Sequence, residues 1–261
     1  MHDHQVLARE LSFAAARGEI TARFQAQVDV RRGLVVALEA LSRWKHPRLG
    51  IVHPNAFIPL AEAGDAMNGV GDAMLEAACR YGSALVRAGR GIGIAVNVAA
   101  VQLTQRRFVE QVARHLETSG LPAALLTLEL TESRPAPESA AGTLAELRSL
   151  GVLVSVDDVR TIDEAAVRVR SLPVTELKVD RSVIRRLPDD SRDAAVLVEF
   201  ARDHGLQSVA EGVETSTQWD AVRDLGFDRA QGYLFGRPMT SRRMTNRLAA
   251  DAGVDRVPGS E

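Results

Sequence analysis

At 261 residues, the chain has the length of one α/β barrel or of two small domains, and it is long enough to bury a large core. Hydrophobic residues make up 46% and charged residues 25% of the sequence, which excludes a disordered or fibrous chain. The formal net charge of -2 excludes an overall basic surface for a DNA or RNA polymer or for an anionic membrane, so any bound phosphate must be held locally.

The start of the chain and its cysteine content bear on location. The first residues, MHDHQVLARE, are polar and lack a basic segment followed by an apolar stretch, and no apolar run approaches the ~18 residues needed to cross a bilayer. The single cysteine, Cys79, excludes an internal disulfide and is expected to be a small buried core residue. We therefore predict a cytoplasmic protein with no membrane partner.

The N-terminal part of the chain predicts a helix followed by a hairpin. An amphipathic helix is predicted over residues 6–17, and strands are predicted over 23–30 and 34–44. Only the turn VRRG separates the two strands, whereas parallel neighbours need a crossover of about a dozen residues or more. One strand is therefore expected to run against the others.

The rest of the chain repeats a short β-branched or Leu-rich run followed by a longer helical pattern, as is typical of βα units around a parallel sheet. Further strands are predicted at 93–99, 125–132, 152–158, 176–180, 206–214 and 230–236. Helices are predicted at 57–63, 70–88, 105–118, 138–150, 163–171, 191–204, 215–225 and 241–252. Eight strands interleaved with helices predict a (β/α)8 barrel, with one domain over 1–253 and a polar C-terminal tail over 254–261.

Polar and ionisable side chains recur at or near the ends of the predicted strands. Strand ends of a barrel point into one mouth, so we expect these residues to gather at one rim. Carboxylate and amide oxygens suit hard cations such as Mg²⁺ or Mn²⁺, and two such ions about 3.5–4 Å apart can clamp a phosphodiester. The residues are Glu39, Asn97, Glu129, Asp157, Asp158, Lys178, Asp180, Glu211, Glu214 and Gln231.

Any one of these residues alone would be interpreted as an ordinary strand-terminal polar group, with Lys178 paired to Asp180 or another carboxylate as structure. Their recurrence on successive elements favours a site, because crowded carboxylates repel one another and need a cation. His46 and His53 lack the spacing of a zinc site, and we interpret both as exposed loop residues.

At these same positions the sequence resembles the EAL-domain family of cyclic di-GMP phosphodiesterases, from about Leu7 to about Leu248. Eight motifs in the same order carry the resemblance. They are EALSRW (39–44), FIPLAE (57–62), VNVAAVQL (96–103), LELTES (128–133), DD (157–158), LPVTELKVDRS (172–182), AEGVET (210–215) and QGYLFGRPM (231–239).

The resemblance implies a TIM-like (β/α)8 barrel with one antiparallel strand, two Mg²⁺ or Mn²⁺ ions, and hydrolysis of cyclic di-GMP to linear pGpG. It also implies roles for individual residues. The metal ligands would be Glu39, Asn97, Glu129 and Asp157, with Asp158 helping to hold the second ion. Lys178 would position the attacking water, and Glu211 would act as general base or orient that water.

The resemblance further implies the contacts to the substrate. Arg43 would hold a phosphate, since its forked donors suit paired oxygens, and Gln25 and Pro238 would line the guanine pockets. Gln231 would complete the substrate site, and Glu132, Asp180 and Glu214 would support it from outside.

One loop departs from the family pattern. The family shows DDFGTGYSSL where this chain shows DDVRTIDEAAV, so Val159, Arg160 and Ile162 replace Phe and two glycines. Glycine adopts positive φ at little cost, whereas Arg and β-branched Ile resist it, so we expect the family's loop path to be unavailable. In the family this loop couples the second metal to dimer contacts, and Glu132 anchors it.

The altered loop leaves alternative functions open. The first is an active phosphodiesterase; the second is a catalytically weak or inactive domain that acts as a cyclic di-GMP receptor or protein-interaction module. A homodimer and a regulatory protein partner are both compatible with either. A third alternative is an unrelated metal-dependent barrel enzyme, because fold alone does not determine chemistry.

Overall fold

The computed structural model describes residues 2–105, 107–130 and 140–251. Glu132, the predicted anchor of the altered loop, and the predicted polar tail over 254–261 lie outside the described residues. The single-domain organisation over 1–253 stays a prediction.

Helix α1 (His2–Ala14) leads into a hairpin of two long strands, β1 (Ile20–Asp29) and β2 (Val35–His46). These strands pair antiparallel with Gln25 opposite Glu39. The turn is closed by Asp29, whose Oδ1 accepts a 2.7 Å hydrogen bond from the Arg32 amide. Gly33 supplies the positive φ of +68° that a side chain would resist.

The remaining elements alternate as the sequence predicts. The strands are β3 (Gly50–Val52), β4 (Gly93–Val98), β5 (Leu126–Leu130), β6 (Leu153–Val159), β7 (Glu176–Val179), β8 (Gln207–Glu211) and β9 (Arg229–Gln231). The helices are α2 (Pro54–Ala63), α3 (Ala66–Arg87), α4 (Ala100–Leu103), α5 (Arg107–Ser119), α6 (Ala140–Ser149), α7 (Ile162–Ser171), α8 (Arg181–Ile184), α9 (Arg192–Asp203), α10 (Ser216–Leu225) and α11 (Ser241–Asp251).

The strands close into a barrel. Around the ring the order is β1, β9, β8, β7, β6, β5, β4 and β2, and the β1–β2 pairing closes it. Strand β1 runs antiparallel to both of its neighbours, while the other ring strands pair in parallel. The predicted TIM-like barrel with one antiparallel strand is confirmed. Strand β3 pairs only with the far end of β2 and lies outside the ring.

The last predicted strand, over 230–236, is too long. Strand β9 ends at Gln231, and a 3₁₀ turn follows over Tyr233–Phe235. At Gly232 the chain passes so close to the backbone of Val213 that a Cβ would lie 2.0 Å from the Val213 carbonyl oxygen. The chain therefore leaves the sheet at a glycine, and no residue with a side chain would fit at this position. The short elements β3, α4 and α8 have no periodic signal in the sequence and are unpredicted.

The interpretation of His46 as an exposed loop residue is wrong. It lies on β2 and is 3% exposed. Its Nε2 lies 2.8 Å from Glu10 Oε2 on α1, and its Nδ1 accepts from the amides of Arg48 and Leu49 at 3.1 Å each. This contact joins helix α1 to the barrel. His53 is exposed, as predicted.

Alternation along the parallel strands places polar side chains inside the barrel. Leu128, Val154 and Leu177 belong to the apolar core. Successive side chains of a strand face opposite sides, so the polar residues between these apolar ones face the barrel interior. Those buried polar residues are Thr127 and Glu129 on β5, Ser155 and Asp157 on β6, and Glu176 and Lys178 on β7.

Candidate active site

Lys178 lies at the centre of a buried group of four carboxylates. Its Nζ is 2.7 Å from Glu211 Oε1, 3.1 Å from Asp157 Oδ1, 3.2 Å from Glu129 Oε1 and 4.0 Å from Glu39 Oε2. The Lys178 side chain is 0% exposed. Four strands thus deliver a carboxylate to one cation, as strand ends at a common barrel rim allow.

Amide side chains hold Glu39 in this group. Asn97 Nδ2 donates a 2.8 Å hydrogen bond to Glu39 Oε1, and Gln231 Nε2 donates a 2.5 Å bond to Glu39 Oε2. Gln231 Nε2 also donates to Gln25 Oε1 at 3.2 Å. Burial alone would raise the pKa of Glu39, but the charge of Lys178 and these two amide donors outweigh it and lower that pKa.

The group carries more negative charge than Lys178 can balance. Burial, followed by repulsion from neighbouring carboxylates, raises the pKa of Glu129 and of Glu211 well above the usual range, even though both lie beside Lys178. Burial opposes the charge on Lys178, yet the surrounding carboxylates raise its pKa well above the ordinary value. Two of the carboxyl groups therefore hold protons tightly unless another cation is present.

Strand β6 has an unusual backbone geometry one residue before its end. Asp158 has a φ of +58°, the only positive φ among the described residues other than glycine. Asp tolerates this left-handed conformation better than most residues. Strict alternation would turn Asp158 away from the side of the sheet that Asp157 faces. Instead, one carboxylate oxygen each of Asp157, Asp158 and Glu211 lie within 4.8 Å of one another.

This arrangement fits a divalent cation. Three carboxylates from strands β6 and β8, which flank β7, provide the hard oxygen donors that Mg²⁺ and Mn²⁺ require. In addition, Glu129 Oε2 is buried and accepts no hydrogen bond from any described residue. A cation would satisfy this oxygen and reduce the excess of negative charge around Lys178.

Burial and nearby carboxylates also change the pKa of Asp158. Burial, then the charges of Asp157 and Asp180, raise the pKa of Asp158 to about 6. Asp180 is half-buried and accepts a 2.8 Å hydrogen bond from the Ser182 amide at the start of α8. Asp180 therefore lies beside the cluster. Glu214 is exposed, and the contact found for it is a backbone hydrogen bond to Gln218 Oε1 at 2.8 Å.

The predicted substrate residues lie along the hairpin wall of the mouth. Gln25 and Glu39 face each other across β1 and β2, and Thr21 and Arg43 pair further along the same face. Arg43 is half-buried, and burial followed by the nearby cation of Arg23 lowers its pKa. Gln25 Nε2 donates to the Gly236 carbonyl at 3.2 Å, and Pro238, two residues further on, is half-buried.

A cavity of about 440 Å³ opens beside these residues. Its floor includes Glu39, Asn97 and Asp158, so it reaches the carboxylate group. Its wall is mostly apolar and comes from β2, α2 and α3, with Ile58, Pro59, Met67, Val70 and Met74 among the lining residues. Such an apolar cavity with a few polar groups at one end is typical of a site for a small organic ligand.

The altered loop takes a path that needs no glycine. Val159 is buried and pairs with Val179, so β6 continues past the aspartates. Neither Arg160 nor Ile162 has a positive φ. Thr161 then caps α7 by accepting a hydrogen bond from the Glu164 amide at 3.3 Å. The loop passes from strand to helix by ordinary capping chemistry.

Sequence reasoning missed several buried polar residues below the mouth, and three of them bear on the site. Gln27 Nε2 donates to Glu129 Oε1 at 3.4 Å. Glu176 accepts a 2.9 Å hydrogen bond from Arg229 Nη1 through Oε2, and burial raises its pKa. Ser155 is also fully buried. Strand alternation could have predicted them, because each lies two residues from a predicted site residue on the same strand and therefore faces the same side.

The sequence is similar to a known protein family. A sequence profile described as EAL domain matches residues 8–238. The chain is 35% identical over 249 residues to the bifunctional diguanylate cyclase/cyclic di-GMP phosphodiesterase MucR of Pseudomonas aeruginosa, covering 93% of this chain and 36% of MucR. It is 37% identical over 239 residues to the cyclic di-GMP phosphodiesterase NbdA of the same organism, covering 89% of this chain and 30% of NbdA.

The fold is similar to a solved structure as well. The PaMucR phosphodiesterase in complex with c-di-GMP superposes with a TM-score of 0.83 at 35% identity, covering 91% of this chain and 99% of that one. The chain spans about a third of the length of the curated relatives. No helix in the described part of the chain is long and apolar enough to cross a membrane.

Proposed function

This chain belongs to the EAL-domain family, and from that premise we propose that it hydrolyses cyclic di-GMP to linear pGpG in a reaction that depends on Mg²⁺ or Mn²⁺. The observation that carries the proposal is the carboxylate group around Lys178, with Asp157, Asp158 and Glu211 close enough to share a cation. The names of the relatives support the substrate class.

Two ions are part of this proposal. Asp157, Asp158 and Glu211 would hold one of them, while Glu39, Asn97 and Glu129 offer further oxygens on the other side of Asp157. Bound divalent cations polarise a phosphodiester and lower the pKa of a water molecule. Glu211 would then serve both as a metal ligand and as an acid–base group.

Lys178 and Glu211 are suited to handle the water proton. The Lys178 ammonium is fixed by its carboxylate neighbours and offers its donors to an attacking water. Glu211 has a pKa raised by burial and by Asp157, so its carboxylate binds a proton more readily than an exposed glutamate. The 2.7 Å contact between them places the ammonium group directly beside the carboxylate. We assign water positioning to Lys178 and general-base catalysis to Glu211.

Substrate binding follows from the mouth and its cavity. The Arg43 guanidinium donates to the Ser42 carbonyl at 2.7 Å through Nη1, which leaves donors for a phosphate. Gln25 and Pro238 would contact guanine, and Gln231 would couple the base pocket to Glu39 through its two hydrogen bonds. The cavity beside Glu39 offers a mostly apolar surface to one base.

A receptor function is the second candidate. The observation that favours it is the loop after Asp158, where Val159, Arg160 and Ile162 replace the family's Phe and glycines. A receptor would bind cyclic di-GMP through Arg43 and the cavity without cleaving it. Cytoplasmic location, a homodimer and a regulatory protein partner stay predictions under either function.

The deciding experiment incubates the purified chain with cyclic di-GMP and Mn²⁺, Mg²⁺ or EDTA, and separates the products by chromatography. Formation of pGpG with metal, and none with EDTA, supports the phosphodiesterase. Tight binding by calorimetry without turnover in either metal supports the receptor. Failure to bind or cleave the dinucleotide contradicts both.

A further inference from the structure

The two aspartates at the end of β6 lie in a β-bulge. On β7 the pairing runs Ser155–Glu176 and Val156–Leu177, and it resumes only at Val159–Val179. Asp157 and Asp158 together therefore oppose the single residue Lys178. On the other side, the described pairing with β5 ends at Val156. Within the described residues, the peptide that joins the two aspartates thus has no regular sheet pairing.

Other groups hold that peptide. The Asp157 carbonyl accepts a hydrogen bond from Nη1 of Arg168, eleven residues along the chain on α7. The Asp158 amide, at the other end of this peptide, donates a 2.9 Å hydrogen bond to the side-chain Oδ1 of Asp157. A peptide with both groups bound cannot rotate freely, and its orientation sets the directions of the Asp157 and Asp158 side chains.

The position of Arg168 follows from where helix α7 begins. Thr161 caps the helix, and Arg168 lies seven residues later, which is about two helical turns. Ala165, between them on the same face, is 0% exposed. Arg168 is half-buried on this inner face, whereas Val167 and Arg170 are exposed. The chain's own loop sequence, with its Thr cap, thereby aligns an arginine with the bulge.

We infer that Arg168 is a positioning residue that fixes the Asp157–Asp158 peptide, and through it the carboxylates that hold the divalent cation. The inference rests on the proposed function, because it takes Asp157 and Asp158 as metal ligands. Groups that orient metal ligands typically contribute a factor of roughly 10–100 to metal affinity or activity. Arg168 acts without touching substrate or metal.

The test compares Arg168→Met and Arg168→Lys with the matched control Arg170→Met on the outer face of the same helix. Mn²⁺ affinity is measured by electron paramagnetic resonance on the full chain without substrate, and kcat and KM are measured with cyclic di-GMP. Hydrogen–deuterium exchange follows the backbone around Asp158, and thermal melting in EDTA reports the fold.

We expect Arg168→Met to weaken Mn²⁺ binding by roughly 10–100-fold. We further expect kcat to fall with KM unchanged, and exchange around Asp158 to rise. Arg168→Lys retains a cationic donor group and should keep part of the affinity, while Arg170→Met should match the wild type. If Arg168→Met is unfolded, the Mn²⁺ affinity and the hydrogen–deuterium exchange of Arg168→Lys test the inference.

Wild-type Mn²⁺ affinity in a folded Arg168→Met or Arg168→Lys variant, with unchanged exchange around Asp158, overturns the inference even if the melting temperature falls. Absence of Mn²⁺ binding by the wild type also overturns it. A wild type that binds Mn²⁺ without cleaving cyclic di-GMP contradicts only the proposed phosphodiesterase, since the Mn²⁺ affinities still test Arg168.

Discussion

Lys178 Nζ and Glu211 Oε1 lie 2.7 Å apart on the neighbouring strands β7 and β8, inside a barrel where Lys178 has no exposed surface. The pKa of Glu211 is nevertheless raised, because burial and Asp157 act against its ionisation. The single positive charge of Lys178 is therefore insufficient to balance the negative charge of the surrounding carboxylates. Substitutions that alter this charge balance should change metal binding, stability and catalysis together.

Lys178→Met removes the central cation while keeping most of the side-chain volume. Breaking a buried ion pair by removing one partner typically costs about 3–5 kcal/mol, and four carboxylates surround this one. We expect a loss of that size in the free energy of unfolding at pH 7 in EDTA, together with loss of hydrolysis. Urea denaturation measures the first effect. Lys45→Met, at an exposed position of β2, should leave both quantities unchanged.

Glu39→Gln tests the metal site with little change in shape. The neutral amide cannot supply the charge of a ligand, while one of its ends can still accept from Asn97 or Gln231. We expect hydrolysis to fall below detection and Mn²⁺ affinity to decrease, with the far-ultraviolet circular dichroism spectrum retained. Turnover at the wild-type rate would refute the assignment of Glu39; Glu117→Gln on the exposed face of α5 is the matched control.

Asp158→Asn tests the pH dependence. Because the pKa of Asp158 is about 6 in the folded protein against an ordinary value of 3.8, the folded state binds this proton more tightly than the unfolded chain. The stability that this group contributes is complete below about pH 4 and is lost as the pH rises through about 6. Asparagine resembles the protonated form and tolerates positive φ.

In EDTA, we therefore expect Asp158→Asn to be more stable than the wild type at pH 8, with a difference that disappears near pH 4. The same variant should bind Mn²⁺ more weakly. Urea denaturation at several pH values measures the difference, and Asp203→Asn at an exposed position provides the control. A wild type that is the more stable protein at pH 8 would contradict the crowding of carboxylates at this rim.

Arg43→Lys tests the phosphate contact. A charge-assisted hydrogen bond contributes about 1.5–3 kcal/mol, and lysine cannot reproduce the paired donors of a guanidinium. We expect KM for cyclic di-GMP to rise by roughly 10-fold or more, as the lower end of that energy implies, with Mn²⁺ affinity unchanged. Steady-state kinetics checks this, and Arg31→Lys in the exposed hairpin turn should behave as the wild type. An unchanged KM would remove Arg43 from the binding site.

Several features of the fold could be read from local sequence. The turn VRRG is too short for a parallel crossover, so it required the antiparallel strand that the barrel has. Alternation along β5, β6 and β7 placed Glu129, Asp157 and Lys178 on one face, and strand ends in a barrel share one rim. These inferences succeed because they depend on neighbours a few residues apart.

Only the tertiary structure decided the remaining details. The bulge at Asp157 and Asp158 depends on Arg168 and on the registers of two neighbouring strands, and the burial of His46 depends on Glu10, 36 residues away. The early end of β9 follows from the approach of Gly232 to Val213. The sequence by itself predicted the polar residues that Lys178 brings together, whereas barrel closure determined their distances and pKa values, because those depend on contacts between residues far apart in the chain.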